Sequence, residues 1–76
     1  MSGATFGFEG ALDCLKHGYA AARDSWAGAN TYVCLQVPTR HSKMTKPYLF
    51  LRTAEGELVP WLPTYADLFA EDWRVV

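Results

Sequence analysis

A chain of 76 residues with a formal net charge of -1 makes one small domain, and that charge balance excludes a general nucleic-acid or membrane-surface role. No apolar run approaches the roughly 20 residues that a bilayer span needs, and Met1-Ser2-Gly3-Ala4-Thr5 lacks the basic-then-apolar pattern of a signal peptide. Two cysteines and two histidines are too few for a secreted disulfide framework or a Cys/His zinc set. A cytoplasmic protein with reduced thiols, no metal and no cofactor is expected.

Residues 1–7 are small and polar and read as a loose leader. Phe8, Ala11, Leu12 and Leu15 then recur at the spacing of one helical face. Glu9 and Asp13 fall early in that stretch and Lys16 and His17 late, as the helix dipole prefers, and Gly18 supplies the stop. A helix over about 9–17 follows. It is too short to stand alone in water and must lie on a sheet.

Residues 19–23, Tyr-Ala-Ala-Ala-Arg, read as a short strand of small side chains that lets the helix come close. A loop carrying Trp26, Gly28 and Asn30 comes next. Thr31 to Val37 is a strand, with Val33, Leu35 and Val37 on one face and Tyr32, Cys34 and Gln36 on the other. Pro38 ends it. The loop that follows holds Arg40, His41, Lys43 and Lys46, four of the nine Lys, Arg and His residues of the chain. Most simply it is a solvated loop; it is also a place where phosphate could be met.

Tyr48 to Thr53 is the next strand, with Leu49 and Leu51 facing one way. Ala54-Glu55-Gly56-Glu57 turns it, with Gly56 placed for the left-handed position. Leu58 to Leu62 returns as a strand that Pro60 confines to an edge or a bulge. Thr64 caps a short helix through Phe69, with Asp67 three residues on in a capping-box arrangement. Trp73 to Val76 alternates as a last strand. The fold class is therefore α+β: one N-terminal amphipathic helix packed on a small antiparallel sheet of four to five strands, with a short helical turn near the C-terminus.

Sites for chemistry are few. Glu71 and Asp72 are adjacent and point apart on regular structure, poor geometry for a shared acid/base pair. His17 reads as a helix-end residue, His41 as part of the basic loop, and neither cysteine has a base beside it in sequence. Nothing matches a glycine-rich phosphate loop. A non-enzyme is expected. Binding is better served: Trp26, Trp61, Trp73, Tyr65 and Arg23 fall at loops or strand ends, where side chains can face a ligand. Stacking on such rings contributes about 1–3 kcal/mol per base. Arg23 could meet phosphate, and Thr64, Asp67 and Asp72 could fix hydroxyls. Trp61, between Pro60 and Pro63, suits a pocket wall; Trp73, opening the terminal strand, suits the core.

Taken together, Phe8-x-x-Ala11-Leu12-x-x-Leu15-Lys16-x-Gly18, Ala22-Arg23-x-x-Trp26-x-Gly28, the hairpin Tyr48 to Gly56, and the closing Val59-Pro60-Trp61-Leu62-Pro63-Thr64-x-x-Asp67-Leu68-x-Ala70-Glu71-Asp72-Trp73 resemble the Thoeris anti-defence protein 2 family. The likeness covers about Phe8 to Val76, and the closing motif is its specific part. The resemblance implies a phage protein acting in the cytoplasm of the infected bacterial host. It implies sequestration, without degradation, of a cyclic ADP-ribose-type immune signal, with cyclic dinucleotides as further ligands of some members. It also implies a homotetramer with ligand pockets between protomers, which agrees with the small core of a chain this size. From the placement of the residues themselves, Arg23, Trp26, Trp61, Thr64, Tyr65, Asp67 and Asp72 are the candidate ligand-binding residues. Three departures bear on the ligand: Ala27 stands where many relatives have Asn, the Gln that relatives often carry near Tyr65 is missing, and the loop after the central strand, long in some members, is short. A module that blocks a host protein through its aromatic face is the alternative.

Overall fold

The computed structural model describes residues 5–26 and 30–76. The elements are α1 (Phe8–Lys16), β1 (Ala21–Arg23), β2 (Tyr32–Gln36), β3 (Tyr48–Arg52), β4 (Leu58–Pro60), α2 (Tyr65–Phe69) and β5 (Trp73–Val75). They form the expected α+β fold, with every strand pair antiparallel.

The sheet order is β4-β3-β2-β1-β5. A simple meander would have set β5 beside β4. Instead α2 carries the chain back, and β5 pairs with β1 through Ala21↔Val75, Ala22↔Arg74 and Arg23↔Trp73. The physical reason is burial. The indole of Trp73 is fully buried, and α1 packs against β5, β1 and β2. The β4 edge offers no such cover, since all three of its residues are exposed. Pro60, which lacks an N–H, sits on that edge strand, where the missing donor costs least.

α1 closes where Gly18 reaches φ +91°. The Gly18 N–H donates to the Leu15 carbonyl at 3.1 Å and the Tyr19 N–H to the Cys14 carbonyl at 3.0 Å, the paired bonds of a Schellman stop. Gly56, also at φ +91°, completes the β3–β4 turn by donating its N–H to the Thr53 carbonyl at 2.9 Å. Ala11 and Leu15 of α1 meet Ala21, Val33 and Trp73 in the buried cluster, with Leu35, Leu49, Leu51 and Trp61 packed around it. The alanines at 11 and 21 are what let helix and sheet approach. Val37, expected on the Val33 face, lies past the end of β2 and is exposed.

Of the leader read as loose, residues 1–4 lie outside the described residues, and Phe6 is tied down. It exchanges backbone hydrogen bonds with Trp73 at 2.9 and 3.1 Å, extending the sheet beyond β5 by one bridge. Cys14 and Cys34 are free thiols, both half-buried. Burial pushes the Cys34 thiol up from its ordinary value.

Candidate functional site

The turn after β1 sets the site. The Trp26 N–H donates to the Arg23 carbonyl at 3.1 Å, which folds the Trp26 indole back over the core face of the sheet. Trp61 arrives from the end of β4, and its N–H still reaches the Leu49 carbonyl at 3.0 Å. Behind both stands Trp73. The three indoles meet edge to face: Trp26–Trp73 at 5.3 Å and 77°, Trp61–Trp73 at 6.1 Å and 79°, Trp26–Trp61 at 6.1 Å and 74°. Such T-shaped contacts suit the ring quadrupoles. Because Trp26 and Trp61 are nearly perpendicular, they make a corner rather than a parallel-walled slot. A flat ring laid on one of them meets the edge of the other.

An open hollow of about 390 Å³ is lined by Ser25, Trp26, Thr31, Leu51, Trp61 and Asp67. Three of the expected ligand-binding residues, Trp26, Trp61 and Asp67, thus share one concavity. Asp67 is placed by α2. Thr64 caps this helix, accepting from the Asp67 N–H at 3.2 Å, while the Asp67 carboxylate accepts from the Thr64 N–H and hydroxyl, each at 2.9 Å. That reciprocal capping box was legible in the Thr64-x-x-Asp67 spacing. The Asp67 carbonyl in turn accepts the indole N–H of Trp73 at 3.0 Å, so the buried Trp leaves no donor unpaired.

Arg23, expected to meet phosphate, is engaged inside the protein. Its Nη1 donates to Asp67 Oδ1 and its Nε to Asp72 Oδ1, both at 2.9 Å. Asp72 Oδ2 also accepts the Ser25 N–H at 3.0 Å. The guanidinium therefore clamps the start of the Trp26 turn to both ends of the segment carrying α2. Its pKa is held above the ordinary value, first by the bond to Asp72 and then by that to Asp67. Desolvation pushes the Asp67 carboxyl up, but the bonds from Thr64 and Arg23 outweigh it, and Asp67 titrates below the usual carboxylate range. Asp72 behaves likewise: desolvation is the largest single influence, and the bonds from Arg23 and Ser25 overcome it to leave a lowered value.

Asp67 is only 6% exposed and receives Arg23 and two Thr64 donors. A carboxylate offers about four lone-pair positions, and these three bonds leave one of them unused on Oδ1. Thr64 and Arg23 bond this carboxylate directly, and Asp72 holds Arg23 in turn. Tyr65 is placed differently. It is 80% exposed and pairs with Phe69 at 5.1 Å, away from the residues that line the hollow. Ala27 and Gly28, part of the Trp26 motif, lie outside the described residues. Ser25, Thr31 and Leu51, which complete the lining, had no signal in the sequence beyond their neighbourhood to Trp26 and the core strand.

Catalytic machinery is sparse among the described residues. His17 Nδ1 lies 2.8 Å from the Asp13 carbonyl at the end of α1, and His41 is exposed in the β2–β3 loop. No group of three or more His, Cys, Asp or Glu among the described residues is placed to hold a metal ion. No described helix is long and apolar enough to cross a membrane.

The fold and the hollow define a class: a small α+β domain that presents an aromatic corner beside a carboxylate held by an internal arginine. The chain belongs to the Thoeris anti-defense 2-like domain family, whose sequence model matches residues 6–76. It is similar to Thoeris anti-defense 2 of Bacillus phage SP01, at 28% identity over 82 aligned positions that cover 91% of this chain and 92% of that protein.

Proposed function

We propose that this protein binds and sequesters a cyclic ADP-ribose-type signalling nucleotide, without degrading it, and so blocks Thoeris-type immunity in the cytoplasm of the infected bacterial host. The observation that carries this reading is the corner of Trp26 and Trp61 closing over Asp67 in one hollow. A nucleotide has a flat base for the indoles and hydroxyl or amino donors for Asp67. Trp26, Trp61 and Asp67 touch the ligand, and Arg23, Thr64 and Asp72 hold Asp67 and the Trp26 turn in place. Cyclic dinucleotides share the same base and hydroxyl chemistry and are candidate ligands of the same kind.

The assembled form in this proposal is a homotetramer. Leu62, Tyr65 and Phe69 are 86%, 80% and 71% exposed, and a second copy covering them would bring Tyr65 to a pocket between protomers. That exposed patch also favours the second reading, a module that inhibits a host protein through its aromatic face.

The test is retention and recovery. The protein is incubated with cyclic ADP-ribose, freed of unbound ligand, and then heated to unfold it. Recovery of the intact nucleotide is expected. Recovery of a linear product would make the protein an enzyme, and passage of all the nucleotide into the unbound fraction would refute sequestration of that ligand.

A further inference from the structure

A cyclic ADP-ribose-type ligand carries a diphosphate, and the hollow as built repels one. Arg23 contributes +1 and Asp67 and Asp72 contribute -1 each, so this cluster carries +1 - 2 = -1. The cation that meets the phosphates must come from elsewhere.

The other described cations separate cleanly. Arg74 is paired with Asp24 at 2.8 Å. Arg52 donates to the Asn30 carbonyl at 3.0 Å and lies over the Tyr32 ring. Lys16 ends α1. Arg40, Lys43 and Lys46 remain, all exposed and on the single loop between β2 and β3, and none of them takes part in the salt bridges found among the described residues.

The start of that loop is closed on itself. The Thr39 N–H donates to Ser42 Oγ at 2.9 Å, the His41 N–H to Thr39 Oγ1 at 3.2 Å, and the Ser42 N–H to the Thr39 carbonyl at 3.0 Å. Met44 and Pro47, the sequence neighbours of Lys43 and Lys46, wall a second and larger hollow of about 800 Å³ together with Leu49, Pro60, Trp61 and Leu62. Trp61 lines both hollows. Lys43 and Lys46 are exposed and flank, in sequence, two residues of that wall.

We propose that the β2–β3 loop is the phosphate-binding element of the site: Arg40, Lys43 and Lys46 take the diphosphate of the nucleotide whose base rests at Trp61. The proposal rests on the sequestration reading above and divides its labour. The aromatic corner with Asp67 reads base and hydroxyl, and the loop reads charge. Arg23, bound to two aspartates, is a positioning residue.

The experiment is calorimetric titration of cyclic ADP-ribose into the wild-type protein and the variant Arg40→Gln/Lys43→Gln/Lys46→Gln, at low and at physiological salt. Loss of charge-assisted contacts is expected to weaken binding by about tenfold or more. The salt dependence of the wild type should flatten in the variant, because screening acts on the charges removed. Melting temperature should stay unchanged, since these side chains are exposed. The charge-keeping variant Arg40→Lys/Lys43→Arg/Lys46→Arg should restore both affinity and salt slope. Equal affinity and equal slope in wild type and the Gln variant would overturn the loop assignment and leave sequestration standing. A wild type that does not bind would overturn both.

Discussion

The two ends of the sheet are built on opposite principles. At the β1–β5 end, Ala21, Ala22 and Trp73 are buried, and the charges of Arg23, Asp67 and Asp72 are spent on one another. Among the described residues no buried side-chain polar atom lacks a partner. At the β3–β4 end nothing is fully buried: β3 is half-buried throughout, β4 is exposed throughout, and the adjoining loop carries cations without carboxylate partners. The first end satisfies itself and sets stability; the second leaves apolar surface and positive charge for something else to satisfy. Trp61 stands at the boundary, packed on Trp73 on one side and lining both hollows.

The contrast is most sharply broken at Trp73. Trp73→Ala should cost about 3–5 kcal/mol, a large share of the roughly 5–15 kcal/mol a small domain has. Thermal melting followed by circular dichroism should find the midpoint lowered by about 4–8 °C for each kcal/mol lost. A melting point near that of the wild type would mean that the tryptophan cluster is not the core.

The Arg23 clamp is next. Arg23→Gln leaves Asp67, almost fully buried, short of its cationic partner, at a cost of about 1–3 kcal/mol. The same clamp fixes the response to acid. Asp67 and Asp72 have folded-state values below those of the unfolded chain. Their stabilisation is therefore present above the unfolded carboxylate value, near pH 3.9, and is lost as pH falls through the lowered folded values. Melting temperature measured from neutral pH downward should fall in that acid range for the wild type, and less steeply for Arg23→Gln, which has already lost the interaction. Parallel acid profiles would contradict the assigned role of Arg23.

The smallest effect on the folded monomer belongs to the exposed patch. Leu62→Ser with Tyr65→Ser should change monomer stability by no more than about 0.5 kcal/mol per site. Sedimentation analysis should nevertheless show the proposed tetramer shifted to smaller species. An unchanged sedimentation coefficient would place the subunit contacts elsewhere.

Much of this architecture was legible because its signals are local. The face of Phe8, Ala11 and Leu15, the stop at Gly18, the edge position of Pro60 and the Thr64–Asp67 box each depend on residues within one or two turns of one another. The Arg23 network was not legible, because its partners lie 44 and 49 residues away, and a single sequence carries no mark of such pairing. Arg23 read as a free cation for that reason. The placement of β5 beside β1 was hidden likewise, since alternation in Trp73–Val75 shows that a strand exists but not which edge it joins. Trp61 and Trp73 were separable as wall and core from their flanking residues, whereas the perpendicular setting of Trp26 against Trp61 follows only from packing on Trp73.

The most direct test of the aromatic corner is titration of cyclic ADP-ribose into Trp61→Ala, with circular dichroism of the same sample to show that it is folded. Loss of one stacking ring, worth about 1–3 kcal/mol, should weaken binding by roughly 5- to 150-fold in a protein that still melts cooperatively. Undiminished affinity in the folded Trp61→Ala protein would contradict the assignment of the corner as the ligand site.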